Sequence, residues 1–391
     1  KTAYEIYQCD WSSDVCSSDL SLFKVFMAKE CGVRVSETLL SGFIGQGKKV
    51  DQFEEELQKL FLSPYVSTTN SATSAIHLAL TLIKEFSNEE RKKVLSIPIT
   101  CTATNIPIIH NNLDIRWADT DPATCNVDLD DLHKKIDKKT LAIIIVHWAG
   151  YPVDMDKLHE ILDYHEKKNN FRPFLIEDCA HAVTMRSQPL IKNNFAVYSF
   201  GPIKHLTTGD GGALVCPDNY FHQKAKLLRW YGLDRTSKSD FRCSQLIQEA
   251  GYKFHMNDIN ATIGLENIKE INSIVKKHQT NADWLRNNLK TVTHLEHKRM
   301  SADWILTVYV KNREEFVKMM SSHGIETSRV HDRNDKHPIF SQYKEELSGT
   351  TKACESMICL PCGWWLDQND LERIASTVNK GDWICSDMNL T

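Results

Sequence analysis

Three kinds of side chain stand at intervals that a single chemistry requires. Lys204 closes the run Tyr198-Ser-Phe-Gly-Pro-Ile-Lys204, and Asp178 follows an apolar stretch in Ile176-Glu-Asp-Cys-Ala-His-Ala182. Thr73 lies in Thr69-Asn-Ser-Ala-Thr-Ser74, at the head of a helical pattern that reaches Phe86. An amine can hold an aldehyde, and a carboxylate can keep a ring nitrogen protonated. The free amides at a helix N-terminus can hold a phosphate. Singly, each residue has an ordinary explanation: helix caps for the aspartate and threonine, a solvated surface for the lysine. In the order phosphate helix, acidic strand end, then Ser199-x4-Lys204, they suit pyridoxal phosphate, which needs all three.

Such groups need a scaffold that brings strand ends together. Apolar, strand-sized runs occur at 93–97, 113–117, 141–147, 174–177, 195–199 and 213–216. Between and before them lie helical patterns at 50–62, 72–86, 128–136 and 154–167. This alternation predicts an α/β fold with a mostly parallel sheet covered by helices on both faces. Ligands of such sheets collect at the carboxyl ends of the strands, where Asp178 and Ser199 fall. A long helical pattern at 257–289 leads to a smaller α+β region. There the pattern reads strand 304–310, helix 314–323, strand 326–330 and helix 370–378. The expected division is a large domain at 21–256, then a linking helix and small C-terminal domain at 257–391.

Residues 1–20 are set apart from that plan. The stretch at 9–20 is rich in serine and aspartate, has no periodicity, and reads as a translated adapter fused ahead of the gene. It lacks the basic start and apolar stretch of a secretory signal. The 391 residues are 41% hydrophobic and 25% charged, with net charge -4, which gives no electrostatic reason to expect nucleic acid or a membrane surface as partner. The cysteines are scattered rather than framed for disulfides, so reduced thiols in a cytoplasmic protein are expected. Cys359-Leu-Pro-Cys362 has no second pair to complete a metal site, and no metal is expected.

The stretch 42–289 resembles the DegT/DnrJ/EryC1/StrS family of pyridoxal-phosphate-dependent sugar aminotransferases, which have the aspartate-aminotransferase fold (fold type I). The segments that carry the resemblance include Gly42-Phe-Ile-Gly-Gln-Gly47, Ser71-Ala-Thr-Ser-Ala-Ile-His-Leu-Ala-Leu80 and Thr100-Cys-Thr-Ala-Thr-Asn105. Val146-His-Trp-Ala-Gly150, Ile176–Ala182, Ser199–Lys204 with Gly209-Asp-Gly-Gly212, and Gly251-Tyr-Lys-Phe-His-Met256 follow in order. Val330-His-Asp-Arg-Asn-Asp335 and Leu360-Pro-Cys-Gly363 extend it towards the C-terminus.

The resemblance implies that Lys204 bonds the cofactor's aldehyde, Asp178 partners the pyridine nitrogen and His181 contacts the ring hydroxyl. Ala72, Thr73 and Ser199 fall on the phosphate cradle. Four positions depart from the family pattern. Ala72 replaces a glycine, Cys101 replaces an aromatic that stacks on the ring, and Lys253 with His255 replaces an asparagine and an arginine. The implied reaction moves an amino group, from glutamate, to a nucleotide-linked keto sugar such as a 4-keto-6-deoxy hexose, as in polysaccharide biosynthesis. Lys48, Arg229, Arg235, His331 and Arg333 are candidates for the sugar's diphosphate. The implied assembly is a homodimer with shared active sites, in which Lys253 reaches the neighbouring cofactor's phosphate.

Three rivals are weighed. A sugar dehydratase on the same fold would carry histidine where this chain has Lys204. A non-catalytic regulatory homologue would not need the set Lys204, Asp178 and Ser199. A nicotinamide-dependent oxidoreductase would need a GxGxxG after its first strand, and none occurs.

Overall fold

A seven-stranded sheet is the platform on which the rest of the chain is placed. The computed structural model describes residues 19–88, 90–184, 190–237, 241–297 and 301–386. The strands are β1 (Val66–Thr69), β2 (Lys93–Ser96), β3 (Asp114–Trp117), β4 (Thr140–Val146), β5 (Phe174–Asp178), β6 (Asn194–Ser199) and β7 (Gly212–Val215). Their spatial order is β1-β7-β6-β5-β4-β2-β3. β7 runs antiparallel to both neighbours, and the other pairings are parallel. Every residue of β4 and β5 is buried, as expected of strands covered on both faces.

Side chains alternate between two apolar layers because successive strand residues point to opposite faces. Ile144, Ile176, Val197 and Leu214 pack with the helix Ala72–Lys84 and with Phe221 of the helix Asn219–Leu228. On the other face, Tyr198 and Ala213 meet Phe53 and Leu57 of the helix Lys48–Leu60. Ile143 and Leu175 meet Leu158 and Leu162 of the helix Met155–Asn169. The α/β expectation is thereby met. β1 escaped the sequence reading because its four residues, Val-Ser-Thr-Thr, carry one apolar side chain.

The small lobe is a three-stranded antiparallel sheet ordered β10-β9-β8, from β8 (Thr293–His294), β9 (Leu306–Tyr309) and β10 (Met357–Leu360). Here the structure corrects several expectations. The segment 326–330 is not a strand: only Ser328 makes an isolated bridge, to Cys359, and Val330 turns away with φ +63°. The long helix breaks into Asp258–Asn267, a 3-10 turn Ile268–Glu270, and Ile271–Asn288. Asp258 explains the first piece: its carboxylate accepts from the amides of Gly47, Lys49 and Val50, which binds that helix to the large domain. The division at 256/257 therefore cuts through packed structure. Phe340 and Leu347, well beyond it, also lie in the large-domain core.

Residues 1–18 lie outside the described residues, but Asp19 and Leu20 belong to the small lobe. Leu20 is buried against Ile325, donates its amide to the Gly324 carbonyl and accepts from the Glu326 amide. Asp19 pairs with Arg373 at 2.9 Å. The segment set apart as 1–20 thus ends too late by at least these two residues. No helix among the described residues is long and apolar enough to cross a membrane.

Candidate active site

Strand register assembles the site. Asp178 ends β5 opposite Val197 of β6, and Ser199, two residues on, pairs with Gly212 of β7. Gly212 pairs in turn with Thr69 of β1. At about 4.8 Å per strand, this places Ser199 about 10 Å from the point where the chain leaves β1 for the Ala72 helix. Ser71 caps that helix, its Oγ accepting from the Ser74 amide at 3.1 Å, which leaves the amides of Ala72 and Thr73 without intrahelical acceptors. β7 passes so close beneath that a Cβ on Gly212 would lie 2.5 Å from the Ala72 nitrogen. Glycine there is what lets the start of the Ala72 helix approach the strand that pairs with Ser199.

Asp178 is buried, with Oδ2 accepting from the Thr104 hydroxyl at 2.8 Å and Oδ1 from the Ala180 amide at 3.0 Å. Burial pushes its carboxyl above the usual range, opposed by these two donors and by the charges of Lys204 and His147. Thr104 is itself held by Thr100 (2.8 Å). Lys204 leaves a tight turn after β6, its amide donating to the Gly201 carbonyl. It retains some solvent-accessible surface, yet the atoms packed around its ammonium push its pKa down to about 8, against Cys101 and Asp178, which favour the charge. The ammonium lies 3.8 Å from the centre of a Trp304 ring.

Trp304 was not singled out from the sequence, where it looked like the first residue of a strand. The turn Trp148–Gly150 holds its segment in place: Ala302 and Trp304 donate to the carbonyls of Gly150 and Ala149. A Cβ at Gly150, where φ is +92°, would lie 2.7 Å from the His181 carbonyl oxygen, so the close approach needs glycine. The indole Nε1 donates to the Ile203 carbonyl, and the ring stacks on His181 (3.9 Å) and Phe23 (4.8 Å). His181 is buried with Nδ1 lacking any hydrogen-bond partner, and burial together with Lys204 holds it far below the ordinary histidine range. Cys101, half-buried, is the N-cap residue of the helix Thr102–His110. A thiol there cannot provide an aromatic face, and the aromatic ring beside Lys204 is that of Trp304.

The diphosphate candidates separate. Arg229 is buried and locked to Glu54 and the Thr68 carbonyl; breaking such a pair would cost about 3–5 kcal/mol. Arg333 is buried in a bidentate pair with Asp335 and donates to Thr351. His331 is buried beside His181, and burial with Lys204 pushes it down to about 3, so it carries no charge for a phosphate. Lys48 is exposed at the start of its helix. Arg235 instead lines a cleft of about 570 Å³ with Gln46, Trp230, Arg242, Lys253 and His255. Lys253 is exposed there and does not join Lys204 and Asp178 within the protomer; its backbone carbonyl accepts from Asn70, and Asn70 donates its amide to Phe254.

Cys359 and Cys362 are buried and hydrogen-bonded to Thr307 and the Asp303 carbonyl, respectively. Three potential donors do converge at His147, Glu177 and Cys179. His147 already accepts from the Val153 amide at Nδ1 and faces Glu177 through Nε2, while Glu177 also accepts from Asn194. That is a hydrogen-bonded core set, tying the end of β4 to the end of β5.

Comparison with known proteins finds similar chains and folds. AtS13 from Actinomadura melliaura superposes with a TM-score of 0.88 at 40% identity, covering 93% of this chain and 98% of that one. The sugar aminotransferase CalS13 from Micromonospora echinospora gives 0.88 at 36% identity, with 93% and 100% covered. A UDP-4-amino-4,6-dideoxy-N-acetyl-beta-L-altrosamine transaminase from Helicobacter pylori is 27% identical over 90% of this chain and 95% of its own. The DegT/DnrJ/EryC1/StrS aminotransferase family model matches residues 27–379, and the chain is a member of that family.

Proposed function

We propose that the protein is a pyridoxal-phosphate-dependent aminotransferase that moves an amino group from glutamate to a nucleotide-linked keto sugar, a 4-keto-6-deoxy hexose being the first choice. The observation that carries this reading is the convergence of Lys204, Asp178 and the Ala72/Thr73/Ser199 cradle at the carboxyl ends of the strands. The residues suit the cofactor's parts: an enclosed amine, a buried carboxylate, a cradle that a Cβ at Gly212 would fill, and an unpartnered His181 nitrogen for the ring hydroxyl. The named transaminases and sugar aminotransferases among the similar proteins support the acceptor class.

When bound, pyridoxal phosphate supplies an aldehyde carbon that carries the amino group and a ring that takes up the electron pair left by a departing proton. Asp178 keeps a proton on the ring nitrogen, and Thr104 orients its carboxylate. The amides of Ala72 and Thr73 and the Ser199 hydroxyl bind the phosphate. Lys204 Nζ takes the α-proton of the donor in the first half-reaction and delivers a proton to the sugar carbon in the second. Trp304 keeps water from one side of that amine. The ten described cysteines, all free thiols, suit a cytoplasmic protein. Incubation of the loaded protein with glutamate should bleach its visible band, and a panel of nucleotide keto sugars should restore the band with formation of an amino sugar. Bleaching that no keto sugar reverses would overturn the acceptor assignment.

The reading includes a homodimer. Leu40, Phe43, Ile44 and Leu246 are exposed apolar side chains, and Arg235 ties the segment at Gln46 to the one carrying Trp230. Exposed apolar side chains and a cationic cleft suit a second copy of the chain, with Lys253 supplying charge to the partner's phosphate. Mixing Lys204→Ala with Lys253→Glu should then regenerate one intact site per heterodimer, up to about a quarter of wild-type activity after statistical exchange. Full activity of Lys253→Glu alone, or no recovery despite proven exchange, would refute the shared site.

A further inference from the structure

The turn at Val330 is strained, and what it aims is a histidine. The His331 amide donates to the Arg329 carbonyl at 2.7 Å, closing a three-residue turn around Val330 at φ +63°. A β-branched residue is a true outlier in that region, and such strain persists only where the surroundings enforce it. They do so from both sides. Upstream, Ser328 and Cys359 of β10 exchange backbone hydrogen bonds of 3.3 and 2.8 Å. Downstream, Asn334 donates its amide to the Pro98 carbonyl and its side chain to the Thr100 carbonyl, and accepts from Asn105.

The strained turn drives the His331 imidazole into the site. It lies parallel to His181 (5.9 Å, 7°) and edge-on to Trp148 (6.1 Å), and it is 7% exposed. Its Nε2 is buried and has no hydrogen-bond partner. A buried imidazole nitrogen left in that state is unfavourable, and a ligand atom can relieve it. The position says which ligand. On the proposed function His181 faces the cofactor's ring hydroxyl, whose carbon adjoins the one bearing the aldehyde. A ring parallel to His181, and close enough for the Lys204 charge to depress it, therefore sits on the side of the reacting carbon, away from the phosphate. An uncharged imidazole suits a neutral hydroxyl there better than a diphosphate or carboxylate.

We propose that His331 is a substrate-contacting residue whose unpartnered Nε2 hydrogen-bonds the sugar hydroxyl adjacent to the carbonyl carbon that receives the amino group. This rests on the sugar-aminotransferase reading, and the two can fail separately. The test uses the loaded enzyme and follows each half-reaction by absorbance, with calorimetric binding of the aminated product as a readout independent of turnover. His331→Phe keeps a ring without the nitrogen, and His331→Asn keeps a polar group should the first variant fold poorly; melting curves check both.

In His331→Phe the glutamate half-reaction should stay within about twofold of wild type, while the keto-sugar half-reaction and product binding weaken by on the order of 10²-fold. An analogue lacking the adjacent hydroxyl should lose a similar factor with wild type and none with His331→Phe. Equal losses in both half-reactions, or the same discrimination against the deoxy analogue by variant and wild type, would overturn the proposal. A wild-type enzyme that bleaches with glutamate but accepts no keto sugar would overturn the acceptor class itself.

Discussion

Lys204→Ala is expected to lower steady-state turnover by at least about 10⁴-fold, since one amine both bonds the cofactor and moves the proton. Among the described residues no second amine stands beside Asp178: Lys253 faces the outer cleft, and the Trp304 ring, with His181 and Phe23 stacked on it, lines the other side. The variant should also lose the visible absorbance of cofactor bonded to lysine, while still retaining phosphate through the cradle. The pH dependence has a definite sign. Attack on an aldehyde needs the neutral amine, and enclosure pushes Lys204 down to about 8. About a tenth of it is then neutral at pH 7, against less than about 0.1% for an ordinary lysine. Development of the visible band by wild type on adding pyridoxal phosphate should therefore speed up as pH rises to about 8, and level off above it. A Lys204→Ala variant that sustains turnover would mean that the lysine has been misassigned.

How far the site was legible in the sequence depended on how each residue is held. Asp178 and Ser199 could be placed because each ends an apolar run, and the run itself reports a buried strand. Thr73 could be placed because the start of its helix is a local feature of the chain, whereas Ala72 came from the family resemblance. Among the diphosphate candidates, Arg229 was misread because its pairing is not local. Arg229 meets Glu54 across 175 positions, so nothing near either residue announces the ion pair. Trp304 was missed for the same reason: its ring is set by the Ile203 carbonyl, 101 positions away. The fold followed a similar rule. Periodicity reported the parallel strands with their helices. It could not report that Asp258 ties down a helix by binding three amides of another, nor that 326–330 bends at Val330 instead of pairing along its length. Asp19 and Leu20 were set aside with an adapter-like stretch of serine and aspartate that shows no periodicity, yet Leu20 fits between backbone partners at Gly324 and Glu326.

Asp178→Asn is the second change with a large expected effect, and it should separate catalysis from stability. Asparagine matches the aspartate in size and can still accept from the Ala180 amide at the Oδ1 position. The Thr104 hydroxyl can rotate to accept from the new amide nitrogen instead of donating. What disappears is the negative charge that keeps a proton on the ring nitrogen, so turnover should fall by about 10²–10³-fold. The cofactor-free protein should respond the other way. Burial raises the Asp178 carboxyl above its unfolded value, so the folded state holds that proton more tightly than the unfolded chain does. The stability gained from this is present at low pH and is lost as pH rises from the unfolded value through the folded one. Above that window the wild-type protein buries an anion and the variant buries a neutral amide. Cofactor-free Asp178→Asn should thus melt at or above the wild-type temperature at pH 8, with the difference shrinking as pH is lowered into the ordinary carboxylate range. Near-wild-type turnover would remove Asp178 from its role at the ring nitrogen. A large drop in melting temperature at pH 8 would show instead that the carboxylate is held there for the fold, through Thr104 and Ala180.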